Sequence, residues 1–440
     1  MAGLNYVTFN QDHSLLAVAT TRGLRIYTTD PFALSNSSHD EDVSLVEQLF
    51  STSLVAMILT PRLLRIVNTK RHSTICELTF HSMVVAVKMN RKRLVVVLEE
   101  SVFIYDISNM KMLDSTLTPL NTYGICAISP SSENNFLALP HFQKSAPSVH
   151  QGGQPPSHVP KSVAKESLSG DVLLYDLTKM EEVAVVSAHQ APLSCIALNN
   201  DGTLMATSSE KGTVIRIFSI PDGRKLYQFR RGSMPARIYS MSFNATSTLL
   251  CVSSATETIH IFKLSAPHSS HGANDYGNSS SKGISSPPTS PRRASATFDF
   301  TSRSKSPSAD PEDPSESGPT EASDSSSATR PPRPAGLMSL VRRTSQTVSG
   351  SLMSRAAGYL PTSVTEMWEP QRDFAWCRVP RGSSGMPVKS VVAMAGSVPQ
   401  VMVATNEGDF YVYSIDLDKG GEGTLVRRYE YVDSCTGLET

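Results

Sequence analysis

LMATSSEKGTVIRIF, residues Leu204 to Phe218, is a short apolar strand, a polar turn and a second strand that closes on an aliphatic-aromatic pair. In VIRIF the side chains alternate with a period of two, as in a strand with one buried face. The pattern recurs as LLAVATTRGLRIY (Leu15 to Tyr27), LVAMILTPRLLRIV (Leu54 to Val67), LVVVLEESVFIY (Leu94 to Tyr105), FLALP continued by GDVLLY (Phe136 to Pro140, then Gly170 to Tyr175), LLCVSSATETIHIF (Leu249 to Phe262) and VMVATNEGDFYVY (Val401 to Tyr413), seven copies in all. Most copies are about 40 residues apart, the period of a four-stranded propeller blade. A further strand is visible on either side of each pair, as PLSCIAL and KLYQF flank the quoted stretch. The expectation is an all-β, seven-bladed β-propeller, whose blades cover one another's faces radially. Two packed open sheets would not impose a fixed period.

Lys plus Arg equals Asp plus Glu, 40 against 40, so the chain lacks the broad basic field of a nucleic-acid binder, and any anion recognition must be local. The six cysteines (Cys76, Cys126, Cys195, Cys251, Cys377, Cys435) are scattered without a C-x-x-C pair, which suits a reducing, cytoplasmic setting. MAGLNYVTFNQDHS does not read as a signal peptide, and no apolar run approaches the roughly 20 residues that span a bilayer. Contact with a membrane would therefore be peripheral. There is no glycine-rich phosphate loop before a helix, no G-x-S-x-G, no H-E-x-x-H and no cluster of metal ligands, so neither an enzyme nor a cofactor is expected.

Two gaps between copies are long. Residues 141–169, inside the fourth blade, are rich in Ser, Pro, Gly and His and read as a surface loop. Residues 265–370 interrupt the sixth blade, with runs such as SPSADPEDPSESGPTEASDSSSATRPPRP that cannot bury enough apolar surface to order themselves. The domain expectation is thus blades one to six over 1–264, a disordered insertion over 265–370, and the end of blade six with blade seven over 371–440. Within the insertion, residues 335–360 place Leu337, Val341, Val348 and Leu352 at helical spacings among Arg342, Arg343 and Arg355. That pattern fits an amphipathic segment lying on a membrane; a helix packed on the propeller and an unstructured segment remain alternatives. SPPTSPRRAS and RRTS offer phosphorylation sites whose added charge would weaken docking on an anionic surface.

Behind the fifth copy stands QFRRGSMPARIYSMSF (Gln228 to Phe243), with two adjacent arginines before a glycine. Successive side chains on a strand point to opposite faces, so Arg230 and Arg231 are placed to serve two pockets rather than one. Guanidinium forks match phosphate oxygens, hydroxyls add neutral hydrogen bonds, and Gly232 is expected to keep a side chain from crowding the rim.

The motif Phe229-Arg230-Arg231-Gly232, between ATSSEKGTVIRIF and SSATETIHIF, resembles the signature of the PROPPIN family, phosphoinositide-binding, WD-repeat-like propellers that include the WIPI proteins. The resemblance covers all seven copies, and GYLPTSVTEMWEPQRDFAW (Gly358 to Trp376) is similar to the family's fungal autophagy-related protein eighteen branch. It implies two headgroup pockets, one of His189, Ser209, Thr213, Arg216 and Arg230, the other of Arg231, Thr256, Thr258 and His260. The implied ligands are phosphatidylinositol 3-phosphate and phosphatidylinositol 3,5-bisphosphate. TPRLLRIVNTKR resembles the family's surface for autophagy-related protein two, through Pro61 and Arg62. The second pocket departs from the family, because its turn reads Ala255-Thr256-Glu257 instead of carrying a Lys-Gly pair; Arg237 is the candidate compensating cation. Each polar residue also has a structural reading: His189 as a buried histidine of the blade, His260 as an exposed strand position, and Ser209, Thr213, Thr256 and Thr258 as turn residues. The alternative function is a protein-interaction scaffold without lipid binding.

Overall fold

In the computed structural model, each copy of the motif forms the second and third strands of an antiparallel sheet, and seven such sheets are the blades. The structure describes residues 3–39, 41–142, 168–264, 370–382, 385, 388–396 and 398–431, and no helix occurs among them. Blade one holds β1 (Leu4–Phe9), β2 (Leu15–Thr20), β3 (Gly23–Thr29) and β4 (Phe32–Ser37); blades two and three hold β5 to β12, including β6 (Leu54–Thr60), β7 (Leu63–Asn68) and β12 (Met112–Leu117). Blade four is β13 (Ala127–Ile128), β14 (Phe136–Phe142), β15 (Leu168–Asp176) and β16 (Glu181–Ser187). Blade five is β17 (Leu193–Leu198), β18 (Leu204–Ser209), β19 (Val214–Ser219) and β20 (Lys225–Arg230). Blade six is β21 (Ile238–Phe243), β22 (Leu249–Ser254), β23 (Thr258–Lys263) and β24 (Ala375–Arg378), with β28 (Gly421–Glu422) added in parallel. Blade seven is β25 (Ser390–Met394), β26 (Gln400–Thr405), β27 (Asp409–Ser414) and β29 (Thr424–Glu430).

Burial follows position in the blade. LLAVAT in β2 and LLCVSS in β22 are buried throughout, which is why they read as continuous apolar runs, whereas the outermost β29 is exposed at nearly every residue. The turns have a common chemistry. After the first strand, Asn90, Asn199 and Asn244 each use Oδ1 to accept two backbone N–H groups of the turn. After the third, Asp176 and Asp416 do the same, and Asp106 Oδ1 accepts the Ser108 N–H and hydroxyl. The latter turns end on left-handed residues, Met110, Met180 and Gly420. Asx side chains that cap their own turn explain the polar residues between copies.

Blades one to five take four consecutive strands each; β28, from the β27–β29 connection of blade seven, pairs with β24 of blade six, and blades one and seven share no strand, so the ring closes by packing. Val7, Leu16 and Val18 of blade one share a core with Met402, Phe410 and Val412 of blade seven. Phe32 stacks on Phe410 and Tyr429 at 4.6 and 4.8 Å, and the Tyr27 hydroxyl donates to the Tyr431 carbonyl at 2.9 Å.

Residues 265–369 fall between β23 and β24 of blade six, and 143–167 between β14 and β15 of blade four; both stretches lie outside the described residues. The flanking strands extend into the stretch read as loop, since β14 runs through Phe142 and β15 starts at Leu168. Leu337, Val341, Val348 and Leu352, with both phosphorylation motifs, lie in 265–369. Cys76, Cys126, Cys195, Cys251 and Cys377 are free thiols, and Cys435 lies outside the described residues. No helix among the described residues is long and apolar enough to cross a membrane.

Candidate functional site

Arg216, central in β19, pairs with Thr207 on β18 and with Gln228 on β20, which sets three polar side chains in a row on one face of blade five. The intervening Ile215, Ile217 and Phe229 pack into the core shared with blade six, so the polar row faces blade four. Arg216 Nε donates to Gln228 Oε1 at 3.0 Å. Its Nη1 donates to the Ala188 carbonyl at 2.7 Å and to His189 Nδ1 at 3.1 Å. Because Nδ1 accepts, His189 carries its proton on Nε2, which donates to Thr207 Oγ1 at 3.0 Å. Burial, then the neighbouring Arg216 charge, push the His189 imidazole down to about 4. His189 is thus a neutral brace with both nitrogens engaged, and Arg216 Nη2 is left without a partner among the described residues.

Arg230 lies two residues beyond Gln228, on the same side of the strand, and is exposed. Ser209 is buried two residues beyond Thr207, and Thr213 sits in the adjoining hairpin, where its carbonyl accepts the Arg231 backbone N–H. Four of the five residues expected in the first pocket therefore derive from one face and edge of blade five, and His189 joins them from the loop leaving blade four.

Arg231 takes the other side. It is 7% exposed, with Nε donating to the Gly212 carbonyl at 2.9 Å and Nη2 to the Met234 carbonyl at 2.7 Å. Gly212 has φ +58°, and a Cβ there would lie 1.9 Å from the Ala236 carbonyl oxygen, so glycine is required where Arg231 docks. Gly232 corrects an expectation: a Cβ on it meets nothing within 4 Å, and its φ is not positive. The crowding that glycine relieves is at Gly212, one hairpin away.

Across the seam, Thr258 and His260 share a face of β23 with Phe262, whose ring stacks on Phe229 at 4.8 Å; both therefore face blade five. His260 Nδ1 donates to Asp373 Oδ2 at 2.8 Å. The Thr256 hydroxyl bonds Ser254 Oγ at 2.9 Å inside the turn. Glu257 is paired with Arg381 at 2.5 Å, so the extra negative charge of this turn meets a cation. Arg237 is engaged elsewhere, with its guanidinium 3.6 Å over the Tyr123 ring. The local compensating cation is Arg381.

Sequence reasoning missed five residues. Thr207 and Gln228, which fix His189 and Arg216, follow from strand register once the hairpins are aligned. Gln371, Asp373 and Arg381 stand beyond the 265–369 stretch, where no local pattern links them to blade five. Gln371 donates its N–H to the Gln228 carbonyl at 3.1 Å and accepts the Arg230 N–H at 2.8 Å, which ties the return of the chain to the double-arginine strand. Pro61 and Arg62 occupy the exposed turn between β6 and β7, and their carbonyls accept N–H groups of Val84 and Phe80 at 2.7 and 2.9 Å.

The fold and this paired seam define a propeller of one particular class. The PROPPIN family model matches residues 3–167 and 157–283, and the chain belongs to the PROPPIN family. Among curated relatives it is similar to autophagy-related protein 18 of Phaeosphaeria nodorum, 56% identical over 432 residues, covering 97% of this chain and 100% of the relative. Among solved structures, the complex of KlAtg21 with the coiled-coil of AgAtg16 aligns with TM-score 0.62 at 26% identity, over 98% of this chain and 100% of that one. Kluyveromyces lactis Hsv2 with complete loop 6CD shares the fold, with TM-score 0.63 at 16% identity, over 98% and 99% of the two chains.

Proposed function

We propose that this chain is a phosphoinositide effector of autophagy that docks edge-on to membranes through two headgroup pockets flanking Phe229-Arg230-Arg231-Gly232. The ligands are phosphatidylinositol 3-phosphate and phosphatidylinositol 3,5-bisphosphate. The carrying observation is the divergence of the arginines: Arg230 lies on the Arg216 side facing blade four, while Arg231 turns into the seam with blade six. A braced Arg216 and a tethered Arg231 are preorganised cations, which lowers the ordering cost of gripping a phosphate. Residues 335–360 supply the apolar segment that lengthens residence once docked. The exposed Pro61-Arg62 turn is the contact for autophagy-related protein two, and a coiled coil of the kind KlAtg21 binds is a further candidate partner. The places of action are the preautophagosomal structure, vacuole and endosome membranes. Binding, not catalysis, is the activity.

Flotation with vesicles containing phosphatidylinositol 3-phosphate tests the reading. The wild-type chain should float, and Arg230→Thr combined with Arg231→Thr should leave it in the soluble fraction while near-ultraviolet circular dichroism stays native. A wild-type chain that remains soluble would favour the scaffold alternative.

A further inference from the structure

The two histidines of the paired pockets are wired oppositely. His189 spends its proton on Thr207 and its lone pair on Arg216, so it has nothing further to exchange with an anion. His260 gives Nδ1–H to the Asp373 carboxylate, and Nε2 has no partner among the described residues. In the neutral ring that Nε2 holds only a lone pair, and a phosphate oxygen is likewise an acceptor. A hydrogen bond between the two requires one more proton, carried either by the ring or by a singly ionised phosphate.

Resting on the two-pocket reading above, we propose that Asp373 is a positioning residue which fixes the His260 tautomer, so that the blade-six pocket takes its phosphate monoester together with a proton. The blade-five pocket, with its neutral, fully engaged His189, binds without that coupling. Asp373 is not an internal substitute for the ligand phosphate. Such an anion would take a guanidinium fork, yet Arg231 bonds the Gly212 and Met234 carbonyls. The other charged groups around this seam are Arg231 from blade five, Arg372 beside Asp373, Arg378 on β24 paired with Glu422, and Glu257 paired with Arg381. Among the described residues the imidazole has Asp373 as its ionic partner. Gln371, two residues earlier, anchors the same segment to β20, so the carboxylate is delivered by a backbone already clamped at the arginines.

Calorimetric titration of the full chain with soluble inositol 1,3-bisphosphate, from about pH 5.5 to 8 where imidazole chemistry is legible, reads the coupling. Arg230→Ala isolates the blade-six pocket and Arg231→Ala the blade-five pocket, and using one ligand for both cancels its own ionisation. Affinity should fall more steeply with rising pH in Arg230→Ala than in Arg231→Ala, by up to about tenfold per pH unit for one extra proton. In the Arg230→Ala background, Asp373→Ala should weaken binding about tenfold, the scale of one charge-assisted hydrogen bond. Asp373→Asn, whose Oδ1 still accepts from Nδ1–H, should restore most of it. Inorganic phosphate is the control anion, and competition as effective as the inositol ligand would overturn assignment to a lipid headgroup. Equal pH slopes in the two arginine variants would overturn the proton coupling, and unchanged or tighter binding by Asp373→Ala would overturn the positioning role. Absence of headgroup binding by the wild-type chain at every pH would instead strike the two-pocket reading beneath it.

Discussion

His189 shows how a residue of a proposed pocket can act by bracing its neighbours, Thr207 and Arg216. Its ring is held between a cation and a hydroxyl, and the cost of charging it there follows from burial and from Arg216. The folded imidazole titrates at about 4, against 6.5 for the free side chain, so between those values the unfolded chain binds more protons. The contribution is complete above pH 6.5 and is lost as pH falls toward about 4. Urea unfolding midpoints measured across that window should drop less steeply with acid for His189→Asn than for the wild type. A parallel fall in both proteins would show that the ring is not held neutral by the fold. The same bracing gives Arg216 its fixed direction, which a surface arginine would lack.

At the scale of elements, the hairpin joining β18 to β19 carries more of the site than the signature glycine. Gly212 provides a left-handed turn and the carbonyl that receives Arg231 Nε, with the Ala236 carbonyl filling the space of a side chain. Gly212→Ala should cost at least about 2 kcal/mol, from backbone strain and the displaced Arg231 contact. Gly232→Ala should stay within about 0.5 kcal/mol, since nothing surrounds it. Denaturant unfolding of the two variants checks the contrast, and equal losses would refute it. Strand pairs were plain in the sequence because period-two alternation and polar turns are local signals; the fourth blade was found although residues 143–167 split it. The braces were less legible. Thr207 and Gln228 stand 21 positions apart in the chain and meet Arg216 only through two registers, while Asp373 reaches His260 across |i−j| = 113.

For the whole molecule, closure without strand exchange concentrates the burden of the ring on one aromatic seam. Phe410 is fully buried and stacks on Phe32, within the core that blade one shares with blade seven. Phe410→Ala should cost about 3 to 5 kcal/mol, the usual penalty for deleting a buried aromatic ring. Hydrogen exchange should locate the lost protection in blades one and seven before blades four and five. Uniform loss around the ring would argue that closure is not the weak joint. A rigid ring would let the two proposed pockets act together, because a second headgroup would bind at the effective concentration set by the first.

Composition, period and alternation were enough to specify seven blades, the two long interruptions and the pair of arginines sent to opposite faces, because each is encoded within a few tens of residues. The ring's closing seam, the neutral state of His189, the requirement for Gly212 and the meeting of Asp373 with His260 depend on contacts between distant segments. Such contacts exist only once the blades have packed, since strand register and seam geometry choose which polar atoms find each other.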